Sequence, residues 1–126
     1  MKRLAAILCA LVLLCLASLA PAAHDRLEKD YQAEWCTACG GTVEYVLPDK
    51  TRVDCMCGDY AIEFDFAQKW AEAIGQALYY SLQTGKKPGV VLIMENPGDD
   101  RYLRRLEAVA YYYAIKVWTT GPGAPK

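Results

Sequence analysis

The stretch Ala61–Trp70, AIEFDFAQKW, alternates like a strand and then takes on the pattern of a helix. Alternation places its apolar residues on one face of the strand and the carboxylates of Glu63 and Asp65 on the other. Two carboxylates on one side of a strand repel each other, so their placement there requires a compensating partner. The stretch therefore predicts an α/β fold in which this strand end has a function.

Around this stretch the sequence predicts an antiparallel meander of three strands. Residues 42–47, 51–57 and 60–66 alternate as half-buried strands do. Tight turns at 48–50 and 58–59, rich in Pro, Gly and Asp, separate them. A helical spacing of apolar residues over 25–35 precedes the first strand.

The second half of the chain predicts crossover units. A helical pattern over 67–84 ends at Gly85, and the apolar run GVVLIM at 89–94 predicts a strand buried on both faces. A helix over 100–114 and a strand over 115–119 complete the pattern. The predicted fold class is α/β, with a mixed sheet and the order helix, three-strand meander, helix, strand, helix, strand.

The first 23 residues predict a cleaved secretory signal peptide. Lys2 and Arg3 precede an apolar run from Leu4 to Leu19, and Ala20-Pro21-Ala22 fits an A-x-A cleavage pattern. An uncleaved anchor helix is the alternative, but the run is short for a membrane span. We therefore expect a periplasmic or secreted protein, free of the membrane after cleavage. It would have one domain over 24–120 and a loose tail over 121–126.

Charge argues against a broad, non-specific nucleic-acid surface. Removal of Lys2 and Arg3 with the leader leaves 12 basic and 15 acidic residues, a net charge of −3. A mildly acidic chain gives no support to extended phosphate binding. It is compatible with a small site that binds a divalent cation.

Acidic side chains are expected to converge where two neighbouring strands meet. The short turn at 58–59 brings Asp54 beside Glu63, and Asp65 lies on the same face. Converging carboxylates take up protons unless a cation is present, and Mg²⁺ prefers oxygen ligands. The sequence thus predicts Mg²⁺, or Mn²⁺, at Asp54 and Glu63, with Asp65 as a further ligand. The spacing alone fits equally well with ordinary polar residues on a half-exposed sheet face.

The helix after the third strand adds a positive charge to this group. Lys69, Gln76 and Tyr80 lie on one stripe of the helix, and its first turn lies just beyond Asp65. Lys69 can therefore return its ammonium group towards the carboxylates. Such a pair suits phosphodiester hydrolysis, because the ion polarises the phosphate and the ammonium stabilises developing charge.

The ordered set Asp54, Glu63, Gln76 and Tyr80 resembles the PD-(D/E)XK, or restriction-endonuclease-like, nuclease superfamily. The predicted order of elements is similar to its core, and the stretch 51–95 resembles small bacterial proteins assigned to it. Gln76 followed by Tyr80 resembles the glutamine-x-x-x-tyrosine motif of its exonuclease branch. The resemblance implies a restriction-endonuclease-like fold, a nucleic acid partner, and catalytic roles for Asp54, Glu63 and Gln76.

One departure from the family pattern bears on catalysis. The family has a lysine two residues after the glutamate, where this chain has Asp65. Some members carry that lysine on the adjoining helix, which implies the role for Lys69. The family also takes an acid from its first elements, here Glu44 in preference to Glu34. The alternative is a catalytically inactive interaction domain on the same fold.

Four cysteines remain after the leader, in a C-x-x-C and a C-x-C motif: Cys36, Cys39, Cys55 and Cys57. Two disulfides that tie the first helix to the second strand are favoured, because exported small domains are usually oxidised. A structural Zn²⁺ held by four thiolates is the second interpretation. The third is a thiol oxidoreductase that uses Cys36 and Cys39.

Overall fold

The computed structural model describes residues 23–126, so the predicted leader, apart from its last residue, lies outside the described residues. Three helices and five strands form in the predicted order, which confirms the mixed α/β class. The elements are α1 Glu28–Ala38, β1 Thr42–Val46, β2 Arg52–Cys57, β3 Tyr60–Phe66, α2 Trp70–Thr84, β4 Lys87–Ile93, α3 Asp100–Tyr113 and β5 Lys116–Thr120. Short 3₁₀ turns, Ala67–Lys69 and Pro97–Asp99, lead into α2 and α3.

The five strands form one sheet in the order β1-β2-β3-β4-β5. β1, β2 and β3 pair antiparallel, as the tight turns between them require. β3 pairs parallel with β4, and β4 pairs parallel with β5, because a helix separates each strand from the next. The sheet therefore changes from antiparallel to parallel pairing at β3, the strand that carries Glu63 and Asp65.

Helices cover both faces of the sheet. α1 contacts β1, β2 and β3 on one face, whereas α2 contacts β3 and β4 on the other and also contacts α3. Alternate residues of β4 divide between the two layers, since Val90 and Leu92 pack towards α2 and α3 while Val91 and Ile93 pack in the cluster that includes α1. β4 is thus buried on both sides, as its apolar run predicts.

Two disulfides join α1 to β2. Cys36 is bonded to Cys55 and Cys39 to Cys57, with Cα–Cα separations of 5.9 Å and 6.4 Å. This is the cross-pairing between helix and strand that the sequence favours. Cys36 and Cys39 are each bonded to a strand residue and not to each other.

Gly41 directly contacts the Cys36–Cys55 disulfide, which is the inner of the two because both of its cysteines are fully buried. A Cβ atom at Gly41 would lie 2.8 Å from Cys36 Sγ and 2.8 Å from Cys55 Sγ. The backbone of Gly41 can approach the sulfurs only because it has no side chain.

The chain after β5 is packed against the end of β4, unlike the loose tail predicted over 121–126. The Gly123 N–H donates to the carbonyl of Met94 at 2.8 Å, and Ala124 packs against the cluster formed by α2, α3 and β4. Gly121 allows this return with a φ of 96°, a value that disfavours other residues. Across residues 23–126, no helix is long and apolar enough to cross a bilayer.

Removal of the inner disulfide by a Cys36→Ser, Cys55→Ser double substitution should lower the free energy of unfolding by about 2–5 kcal/mol. The loss should exceed that of Cys39→Ser with Cys57→Ser, because both inner cysteines are fully buried and the hydroxyls would lack partners. Urea unfolding of both variants measures the difference. Equal losses would show that burial of the inner bridge adds nothing.

Candidate metal centre

The carboxylates of β3 are buried. Glu63 is only 6% exposed and Asp65 only 4% exposed, so they are not polar residues on a half-exposed face. They lie on the side of β3 that faces α2, where the neighbouring Ala61 packs with Tyr80. Burial of two acids on one side of a strand is costly unless something offsets their charge.

Asp54 lies next to Glu63, as the sequence predicts. Cys55 pairs with Ile62, so the antiparallel register sets Asp54 beside Glu63 on the adjacent strand. Oδ2 of Asp54 accepts a hydrogen bond from the Phe64 N–H at 2.8 Å. The charge of Asp54 also raises the pKa of Glu63, as expected of two neighbouring carboxyl groups. The two strands thus hold a close pair of carboxyl groups.

The alternation of β2 side chains between the two faces of the sheet breaks at Asp54. The sequence pattern does not reveal this break. Val53 packs with Tyr80 on the α2 side, whereas Cys55 packs in the cluster that contains α1. Two residues that are two positions apart therefore face opposite layers, whereas the strand alternation predicted over 51–57 would place them on one face. The irregularity frees the Asp54 side chain to reach the Phe64 N–H along the neighbouring strand.

Glu44 lies beside Asp54 on β1 and has a left-handed backbone, with a φ of 53°. Its neighbours Val43 and Tyr45 pair normally with β2. The buried amide of Gln32 donates to Glu44 Oε1 at 3.1 Å and to the carbonyl of Asp54 at 2.8 Å. Left-handed residues other than glycine concentrate at functional sites, where surrounding contacts hold them. Glu44 therefore lines the site from β1, beside Asp54 on β2 and Glu63 on β3.

The acid from the first helix is Glu28, which the sequence analysis did not select. Its charge raises the pKa of Asp54, Glu63 and Asp65, so it lies close to all three. Glu34, the helix residue considered from sequence, is exposed and paired with Arg26 at 2.9 Å. The i, i+4 spacing of Glu28 and Gln32 is the signal that could have identified it.

Two buried carboxylate oxygens have no hydrogen-bond partner: Oε2 of Glu63 and Oδ1 of Asp65. Lys69 Nζ is 3.7 Å from Asp65 Oδ1, and its side chain remains 57% exposed. Unpartnered buried carboxylate oxygens beside a second carboxylate are a donor set that suits a hard divalent cation. The residues present therefore fit the Mg²⁺ that the family resemblance implies.

The carboxylates offer a pair of ligands rather than a closed cage. Within residues 23–126, one group of three ligand atoms lies within 4.8 Å of one another, and its members are the disulfide-bonded Cys36, Cys39 and Cys55. Mg²⁺ commonly takes one or two protein carboxylates and completes its shell with water and substrate phosphate. The arrangement of Asp54 and Glu63 corresponds to this type of site.

Tyr80 of the α2 motif borders the carboxylates. Tyr80 is buried, and burial followed by the charges of Glu63 and Asp54 raises its pKa to about 12. Its phenol therefore stays protonated and can donate a hydrogen bond. Gln76 lies one turn earlier on α2 and is half-buried. The sequence prediction that both belong to the stripe facing this region is compatible with these positions.

Glu95, whose side chain is only 6% exposed, anchors the segment before α1. His24 Nδ1 lies 2.7 Å from Glu95 Oε2, while the Asp25 N–H and the Tyr31 hydroxyl, each at 3.1 Å, donate to Oε1. The His24 ring also stacks on Phe66 at 3.4 Å. α1 has no side-chain N-cap, so this anchor fixes the start of the helix that carries the site's acid.

When no cation is present, the raised pKa values keep Glu63 protonated and Asp65 partly protonated at neutral pH. Burial, and then the charge of Glu28, raises the pKa of Asp65 to about 7, although Lys69 opposes the shift. Burial and the charges of Asp54 and Asp65 raise the pKa of Glu63 as well. Metal binding would therefore release protons.

Comparison with known proteins adds no assignment. The chain matches no protein-family model, no curated protein and no solved structure. The interpretation of the site rests on its own geometry and chemistry.

Stability without divalent cations should fall as pH rises. The folded Asp65 keeps its proton up to about pH 7, whereas the unfolded side chain loses it near 3.8. This contribution is fully present below pH 3.8 and is lost as pH rises through about 7. In EDTA, the free energy of unfolding of the wild type should fall between pH 5 and pH 8. This drop should be about 1–3 kcal/mol larger than the corresponding drop of Asp65→Asn.

Urea unfolding at the two pH values measures this difference, and Mg²⁺ should stabilise the wild type more at pH 8 than at pH 5. Exposed Asp59→Asn is the matched control and should keep the wild-type pH dependence. Identical pH dependence in Asp65→Asn and the wild type would contradict the assignment of the shift to this carboxyl.

Proposed function

We propose that the protein is an exported, metal-dependent nuclease of the restriction-endonuclease-like type, which hydrolyses phosphodiester bonds. One observation carries the proposal: Oε2 of Glu63 and Oδ1 of Asp65 are buried without a hydrogen-bond partner near Asp54, and the ammonium of Lys69 lies 3.7 Å from Asp65 Oδ1. A group of carboxyl groups with one adjacent ammonium is suited to binding a divalent ion and stabilising a charged phosphate. The order of helices and strands supports the restriction-endonuclease-like core.

Asp54 and Glu63 would hold Mg²⁺ or Mn²⁺, and Glu44 and Glu28 would add negative charge around the ion. When bound, the ion polarises the phosphate and offsets the charge that develops on it. Gln32 orients Glu44 and the Asp54 backbone through its two hydrogen bonds. These contacts hold the ligand pair in one geometry before any substrate arrives.

Lys69 would supply the positive charge that the family places two residues after the glutamate. Asp65 occupies that position here and instead holds the Lys69 ammonium beside the carboxylates. Because the lysine side chain is largely exposed, its ammonium can contact a phosphate at the surface. Gln76 and the protonated hydroxyl of Tyr80 would donate hydrogen bonds to water or phosphate.

We also propose that the mature domain acts in the periplasm or outside the cell. Two disulfides join its elements, and such bonds persist in oxidising compartments. The predicted leader supplies the route of export.

Asp54→Asn, Glu63→Gln and Lys69→Met should each lower the rate of plasmid nicking in Mg²⁺ or Mn²⁺ by about 10²–10³-fold. Calorimetry should separate their roles, since the two acid variants lose the heat of metal binding and Lys69→Met keeps it. Asp59→Asn and Lys87→Met are matched controls, because this exposed pair, with Nζ and Oδ2 3.9 Å apart, lies at the opposite end of β3 and β4.

Full nicking activity in all three site variants would overturn the proposal. Metal binding by a wild-type protein that cleaves neither DNA nor RNA would favour the inactive interaction domain. Catalysed insulin reduction that is lost in Cys36→Ser would favour the thiol oxidoreductase.

A further inference from the structure

Four cysteine sulfurs lie together between the end of α1 and β2. Cys39 Sγ is 4.0 Å from Cys55 Sγ, although these two atoms are not bonded. The sulfurs of Cys36, Cys39 and Cys55 all lie within 4.8 Å of one another, and Cys57 is bonded to Cys39. The two disulfides therefore form one compact cluster and not two separate bridges.

The spacing of this cluster is close to that of a tetrahedral zinc site. A Zn–S bond of about 2.3 Å places two thiolates of a tetrahedron about 3.8 Å apart. The distance of 4.0 Å between Cys39 Sγ and Cys55 Sγ is nearly the same. The C-x-x-C spacing of Cys36 and Cys39 is also common in structural zinc sites. Gly41 leaves the space beside the sulfurs free of a side chain.

We propose that the four cysteines form a structural Zn²⁺ site when both disulfides are reduced. Reduction of the two S–S bonds takes four electrons and four protons from two equivalents of an external dithiol, which becomes two disulfides. Zn²⁺ then binds four thiolates and displaces the four thiol protons to solvent. Two equivalents of an external disulfide accept four electrons and four protons and become two dithiols, which restores the two disulfides of the chain and releases the ion.

The exposure of the cysteines determines which of the two disulfides is reduced first. Cys36 and Cys55 are fully buried, whereas Cys39 and Cys57 reach the surface, so a dithiol meets the outer bond first. The freed Cys39 thiolate then lies 4.0 Å from Cys55 Sγ and can attack it, which forms a Cys39–Cys55 disulfide and releases the Cys36 thiolate. The second equivalent of dithiol then reduces this new disulfide. The outer pair thus provides the route by which the buried bridge opens.

The oxidised chain, through its disulfides, and the reduced chain, through Zn²⁺, both attach α1 to β2 at the same place. Zn²⁺ would keep Glu28 and Gln32 beside Asp54 while the chain is reduced, before or without oxidation. The zinc site stands independently of the nuclease function, because it uses none of the carboxylates of the metal centre.

The test titrates metal into the purified chain after anaerobic reduction with a dithiol and removal of the reductant. Co²⁺ is the first probe, and we expect thiolate charge-transfer absorption that saturates at one ion per chain and disappears when Zn²⁺ is added. The oxidised chain should show none of this absorption. Cys39→Ser and Cys55→Ser should each weaken Zn²⁺ binding by more than about tenfold. Even the loss of a residue that only hydrogen-bonds a metal ligand lowers metal affinity by about this factor.

Two controls separate binding at the cysteines from binding elsewhere on the chain. Thr37→Ser, between the two helix cysteines, should bind Zn²⁺ like the wild type, as should the double variant Asp54→Asn, Glu63→Gln. If the reduced chain loses helical circular dichroism in EDTA, Zn²⁺ should restore it. The proposal is overturned if the reduced wild type binds no stoichiometric Zn²⁺, if both cysteine variants bind normally, or if Zn²⁺ fails to restore a lost fold.

Discussion

The structure depends on the burial of like charges at the end of β3. Glu63 and Asp65 are almost fully buried, and Asp54 and Glu28 add their charges from a neighbouring strand and from α1. Without a cation, protons reduce this repulsion, as the raised pKa values show. An acidic group that must bind either protons or a metal is unfavourable for stability alone. Its presence in a small domain is the strongest sign that the site has a function.

The disulfides and the contacts of Glu95 restrain α1 at its two ends. This helix lacks a side-chain N-cap, and its first turn brings Glu28 to the acidic group, whose repulsion opposes its close approach. His24, Asp25 and Tyr31 fix the start of the helix to Glu95, while the cysteines fix its end to β2. A helix restrained at both ends can hold an acid against repulsion that a free helix would relieve by moving.

The sequence predicts most of the fold and part of the site because local constraints are strong in the meander. A two-residue turn leaves one register for β2 and β3, so the pairing of Asp54 with Glu63 follows directly. The change of face at Asp54 and the left-handed backbone of Glu44 leave no periodic signal, since both arise from contacts with Gln32 and Phe64. The link between His24 and Glu95 spans 71 positions and depends on how the chain folds back on itself. The depth of burial of Glu63 depends in the same way on α2 packing over the sheet.

The distorted backbone of Glu44 also affects the outer edge of the sheet. β1 is an edge strand with exposed Val43, Tyr45 and Val46, a combination that invites addition of a strand from another molecule. Edge strands are protected from such pairing when a bulge or charge interrupts their row of free backbone groups. A left-handed, charged residue in the middle of β1 provides that interruption. The irregular backbone that places the Glu44 carboxylate beside Asp54 thus also protects the outer edge of the sheet from pairing with another molecule.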